Sequence, residues 1–215
     1  MDERIMRERI VDAAMEIAAG RRWEDVTLEA IAARADISLA GIREHFDGRL
    51  AILDAFAARI DRAVLDGLDA ELAEEAPRER LFDVLFARIE ALRPHRDAIA
   101  NLMIAARRDP LLALALNGLA ARSMAWMLTG AGIASGGLPG AIRAQALAVQ
   151  WRRVLGTFIR DDDTGLARTM AELDRRLRQA ERAAIRFDSA FRFMTGGGRR
   201  DRSPAPEDVA EGHPS

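Results

Sequence analysis

The chain has 215 residues, 49% of them hydrophobic, a net charge of −2, no cysteine, and arginine at every Lys-or-Arg position. Disulfides, thiolate metal sites and a cysteine nucleophile are thereby excluded, and a reducing, cytoplasmic setting is the natural expectation. The opening M-D-E-R-I-M-R-E-R-I lacks the apolar run of a secretion signal, and no run of about 18 apolar residues predicts a membrane span.

Apolar residues recur three and four apart almost throughout, and alternating strand patterns are missing. The predicted fold is therefore all-α, with about nine helices. Ile10, Ala14, Ile17 and Ala18 form one face of a first helix over about 2–19, with Gly20 at its end. Trp23 and Val26 fall in the following loop. Thr27 is placed as the cap of a short helix over 28–35. A turn at Asp36 then leads to a second short helix over 38–45, capped by Ser38 and followed by Phe46. A long helix opens near Gly48 and carries Leu53, Phe56, Ile60, Val64 and Leu68 towards Glu75. Pro77, Pro94 and Pro110 each open a further helix, because proline is tolerated in a first turn but not in an interior. Beyond the loop T-G-A-G-I-A-S-G-G-L-P-G come helices over about 139–160 and 163–194, separated by Asp161, Asp162 and Asp163. The expected organisation is a helix-turn-helix domain at 1–47, a second helical domain at 48–194, and a disordered tail at 195–215.

Two short helices joined by a tight turn have the spacing of a DNA-reading helix-turn-helix. The segment resembles the N-terminal domain of the TetR family of transcriptional regulators. Thr27, Ile31, Ala32, Ala35, Ile37, Ser38, Ile42, His45, Phe46 and Leu53 fall on that family's pattern, with Arg49 in place of a lysine. The resemblance implies a homodimeric, ligand-responsive repressor that binds a double-stranded DNA operator and a small hydrophobic effector. It implies no catalysis, cofactor, metal or membrane. The candidate DNA contacts are Thr27, Ser38, Leu39, Ala40, Gly41, Arg43, His45 and Arg49. Arg43, His45 and Arg49 are assigned to phosphates, and Ser38, Leu39 and Ala40 to base edges.

This chain departs from the pattern in four ways. Asp36 stands at the turn glycine, a position where aspartate can adopt the left-handed conformation. Gly41 sits inside the reading helix, at a cost of about 1 kcal/mol relative to alanine. Arg43 replaces a phosphate-contacting tyrosine, and Glu44 beside it opposes DNA. Residues 1–64 hold 10 arginines against 13 carboxylates, a net charge of −3. A three-helix cap that keeps the fold without binding operators stays open as an alternative.

Later segments point two ways. W-R-R-V-L-G-T-F-I-R-D-D-D-T-G-L-A-R-T-M-A-E-L-D-R-R-L resembles the same family. P-R-E-R-L-F-D-V-L-F-A-R-I-E-A-L-R-P-H-R-D-A-I is similar to the TetR-fold lipid-binding accessory proteins of ubiquinone biosynthesis. The second resemblance implies a lipid or isoprenoid carrier without DNA binding. Met103, Trp126, Met127, Trp151 and Phe158 are candidate effector contacts, since methionine and tryptophan line adaptable apolar cavities; plain core packing is the alternative. Leu155, Leu166, Met170, Leu173 and Leu177 form a stripe that suits a four-helix dimer interface, with burial inside one chain as the alternative. Asp161–Asp163 are read as complementing a helix N-terminus rather than binding metal. His95 is expected to be exposed. No nucleophile–base pair stands out, so an enzyme is not expected.

Overall fold

The protein is represented by a computed structural model that describes residues 3–69 and 74–195, with 183–195 given by backbone alone. By contacts the chain divides into two units, residues 1–180 and 181–215. Nine α-helices are present among the described residues, and no strand. They are α1 (Glu3–Gly20), α2 (Leu28–Ala35), α3 (Leu39–His45), α4 (Arg49–Asp66), α5 (Pro77–Leu92), α6 (Arg96–Ala106), α7 (Pro110–Gly130), α8 (Gly137–Phe158) and α9 (Ala167–Thr195). The all-α expectation holds. The described part of the second unit is the far end of α9, and every other helix belongs to the first. The disordered tail expected past Thr195 lies outside the described residues.

Three boundaries differ from the sequence reading, each for a local reason. α4 stops at Asp66 instead of continuing towards Glu75, with Gly67 as its C-cap. Pro94 sits in a 3-10 turn (Arg93–His95), and α6 begins after it. α9 begins at Ala167 because the preceding aspartates fold the chain into a turn. Asp163 accepts from the backbone N–H of Gly165 and Ala167 (both 3.1 Å), and the buried Asp161 accepts from the N–H (2.8 Å) and hydroxyl (2.7 Å) of Thr169. Burial pushes the Asp161 carboxyl up, but the hydrogen bonds from Thr169 outweigh it and hold the group below the usual aspartate value. His95 is half-buried rather than exposed, edge-on to Phe56 at 4.8 Å. Burial first, and then the Arg59 charge, hold its pKa down.

α1 packs along α6 and α4, so the N-terminal helices are docked on the rest of the first unit. Asn101 of α6 secures the junction by donating to the carbonyls of Ala18 (2.8 Å) and Ala19 (3.2 Å), which a helix C-terminus leaves unpaired. α7 is long and apolar enough, by length and composition, to cross a membrane. In this fold it packs against α4, α5, α6 and α8 through Leu112, Met124, Met127 and Leu128, while Leu111, Leu114 and Trp126 are exposed.

A buried polar group fixes how α4, α5 and α7 meet. Arg88 of α5 pairs with Asp61 of α4 and donates to Ser123 Oγ of α7 (3.0 Å); the Ser123 hydroxyl in turn donates to Asp61 (2.7 Å). All three are at most 6% exposed. The Arg88 guanidinium also lies 5.8 Å from the Trp151 ring of α8. Burial lowers the Arg88 pKa, and the charge and hydrogen bond of Asp61 oppose that fall. Removing one member leaves an uncompensated buried charge, which costs about 3–5 kcal/mol, whereas replacing both by apolar groups costs far less. Asp61→Ala is therefore expected to lower unfolding stability in urea by about 3–5 kcal/mol. Asp61→Leu combined with Arg88→Met should lose less than either single change. Additive losses would show that the pair is not coupled.

Candidate nucleic-acid interface and ligand cavity

The helix-turn-helix is assembled by local capping. Thr27 Oγ1 accepts from Ala30 N–H (3.2 Å) at the start of α2, and Ser38 Oγ accepts from Gly41 N–H (3.0 Å) at the start of α3. Between the two helices Asp36 adopts φ 51° and ψ 54°, the left-handed geometry that its short polar side chain tolerates. Ile31, Ile42 and Phe46 are buried and hold the helices together, while Ala32 and Ala35 let the backbones approach. From α1, Arg9 donates to Ala35 O (2.6 Å) and Arg7 to His45 O, at the C-terminal ends of α2 and α3. Arg7 also lies 4.3 Å from the Phe46 ring. These two arginines are not legible in sequence as site-forming residues, because their partners lie 26 and 38 residues away.

Gly41 has a packing reason. A Cβ there would fall 2.6 Å from Cδ1 and Cγ1 of Ile37, the half-buried residue that enters α3. Glycine thus trades helix propensity for the close fit of the turn against the helix.

The candidate DNA contacts fall into separate groups. Ser38, Leu39, Ala40, Arg43 and Glu44 are exposed on α3, with Leu39 at 48%. Arg43 pairs with Asp47 one turn on, both of them strongly exposed. Thr27 is exposed but occupied as a cap. Gly41 and His45 are half-buried, and His45 Nδ1 is buried without a partner among the described residues. Arg49 is half-buried and differs from the exposed candidates. Its guanidinium turns inward, donating to the carbonyls of Trp23 (3.1 Å) and Val26 (3.0 Å) and lying 5.0 Å from the Trp23 ring. It ties α4 to the loop before α2.

A cavity of about 700 Å³ opens between α4, α5, α6, α7, α8 and α9. That volume is within the range of small-molecule sites. Met103 and Trp151 line it; Met127 and Phe158 are fully buried but off its lining. Trp126 is 57% exposed and also off the lining, because successive helical positions turn it away from its buried neighbour Met127. Of the dimer candidates, Leu166, Leu173 and Leu177 are buried within this chain, and Leu155 lines the cavity. Met170 is half-buried. Three of the five stripe residues are therefore covered within this chain.

A helix-turn-helix is thus docked on a helical body that holds a cavity. Residues 10–56 match the family described as "Bacterial regulatory proteins, tetR family". The HTH-type transcriptional regulator SrpR of Pseudomonas putida is 38% identical over 52 residues, 24% of this chain and 24% of its own length. This chain thus aligns with about a quarter of that relative. The crystal structure of the TetR transcriptional regulator from Nitrosomonas europaea has 25% identity and a TM-score of 0.63, over 82% of this chain and 98% of that one. Thermus thermophilus FadR, described as a TetR-family repressor in complex with lauroyl-CoA, shares the fold at 20% identity and a TM-score of 0.50, over 94% and 100% of the two chains. Residues 10–56 thus carry a TetR-family N-terminal domain, and the chain as a whole shares the fold of TetR-family regulators.

The Gly41 contact is open to test. Alanine there should lower the thermal midpoint despite its better helix propensity, and Ile37→Ala in the same chain should recover part of the loss. A Gly41→Ala variant more stable than the parent would refute the packing role.

Proposed function

We propose that the protein is a homodimeric, ligand-responsive DNA-binding repressor, in which residues 1–47 dock on an operator and residues 48–194 bind an effector and a second copy. The observation that carries this reading is the presentation of α3. Ile42 on its inner side is buried, while the Ser38 cap and Leu39 and Ala40 of its first turn are exposed, where a recognition helix reaches base edges in a major groove. α4 supports ligand response. Leu53 and Phe56 form part of the cavity wall, and Arg49 at the start of the same helix holds the loop before α2. A molecule pressing on Leu53 and Phe56 therefore bears on the helix that anchors the reading head.

One observation favours the second reading, a lipid or isoprenoid carrier without DNA affinity. Arg43 is paired with Asp47, next to the exposed Glu44, on an N-terminal segment of net negative charge. An exposed pair of this kind is worth about 0–1 kcal/mol, so a phosphate can displace the carboxylate. Fluorescence anisotropy with DNA from upstream of its own gene, across a salt series, separates the two readings. A regulator's affinity should fall steeply with added salt. Arg43→Ala should weaken binding across sequences and reduce the salt slope by about one, and Asp47→Asn should tighten it. No binding at low salt would hand the case to the carrier.

For the second copy, we assign the outer side of α8. Leu138 (75% exposed), Ile142 (50%) and Val149 (38%) share that side at helical spacing, an apolar stripe left uncovered in the single chain. Sedimentation of the full chain should give the mass of a dimer, and Ile142→Glu should shift it towards the monomer. A parent chain that sediments as a monomer at micromolar concentration would overturn this assignment.

A further inference from the structure

The charge around the cavity is lopsided in a way that the protein's overall charge is not. The walls are apolar on the inside, where Leu53, Phe56, Leu92, Ile99, Leu102 and Trp151 are at most 8% exposed. The lining also contains seven arginines and a single carboxylate, that of Glu172. Arg88 is neutralised by Asp61 at the inner end, and Glu172 is shared between Arg175 and Arg176. Arg107, Arg152, Arg153 and Arg160 remain, all exposed, with no ion pair among the described residues. Arg160 leans over the lining: a methyl built on Gly156 would lie 4.0 Å from its Nη2 and 3.9 Å from Met103 Cε. The acids that follow Arg160 are engaged elsewhere, Asp161 with Thr169 and Asp162 facing Arg96.

A second feature points to a ligand from inside the cavity. Arg88 is 5% exposed and lines the cavity, yet its Nε–H has no acceptor among the described residues. Leaving a buried donor unmade is costly, and a ligand oxygen would satisfy it. The Asp61 partner cancels the Arg88 charge, so this position suits a neutral acceptor, while the uncompensated positive charge lies at the outer end.

Resting on the cavity being an effector site, we propose that its ligand is a single-chain amphiphile with an anionic head group. The apolar chain lies against Leu53, Phe56 and Trp151, and the head group sits among Arg107, Arg152, Arg153 and Arg160. Guanidinium groups bind carboxylates and phosphates bidentately, so either head group fits the same cluster. A neutral lipid would leave the cluster unused, and a cationic amphiphile would be repelled by it.

The test is calorimetric titration of the full chain, below micelle formation, with dodecanoate, dodecyl phosphate, dodecanol and dodecyltrimethylammonium. Both anions are expected to bind about tenfold or more tightly than dodecanol at low salt, with the gap narrowing as salt screens the arginines. The stronger of the two anions identifies the head group. Arg152→Gln with Arg160→Gln should bring the anions down to the alcohol's affinity while leaving dodecanol binding unchanged, a control that the fold survives. Leu116→Trp, which fills the cavity, should abolish binding of every probe. Dodecanol binding as tightly as the anions, anion binding that survives the arginine changes, or no binding by any probe would overturn the proposal. The outcome is separable from operator binding: amphiphile binding without DNA affinity removes the regulator and keeps this ligand, and DNA affinity without amphiphile binding does the reverse.

Discussion

Arg88 is the residue about which the helical body is organised. It is charged and out of water, and can be so only because Asp61 and Ser123 arrive from two other helices with acceptors in place. An apolar contact can slide by a turn at modest cost. A buried ion pair with a shared hydroxyl cannot, because every alternative register strands a charge or a donor. The register of α4 against α5 and α7 is therefore fixed by direction as well as by volume. Trp151 on α8 closes over the guanidinium and is also part of the cavity wall. The group that sets the packing is thus also the inner end of the cavity.

α4 then links two regions of the first unit. One of its ends holds the loop before the helix-turn-helix through Arg49, its middle lines the cavity through Leu53 and Phe56, and its last third carries Asp61. A rigid helix with three such attachments transmits displacement better than a loop would. Arg49 has a structural role through the same attachments. Its donors face the carbonyls of Trp23 and Val26, and pulling it outward would loosen the turn that starts α2.

Features that depend on neighbours in the chain are legible in the sequence. Thr27 and Ser38 read as caps and Asp36 as the left-handed turn, because a side chain reaching its own backbone two or three residues on obeys local geometry. Residues whose role lies in distant partners are not legible in this way. The stripe Leu166, Leu173 and Leu177 announces a buried face, but periodicity cannot say whether that face is covered by the same chain or by another. Trp126 and Trp151 have the same letter and opposite environments, one exposed and one in the cavity wall. The four outer arginines of the cavity carry no sequence signal, because they are scattered over three stretches of an arginine-rich chain.

The amino-acid order alone determined that the chain is all-helical, where the short helices of the reading head begin and turn, and which family it resembles. Those properties are set by repeats of three to four residues and by side chains bonding their own backbone. Tertiary structure alone decided which cations face inward, which apolar stripe stays uncovered, and where positive charge gathers around a cavity. Those depend on helices that are distant in sequence meeting at one buried ion pair, and burial and charge pairing are properties of that meeting.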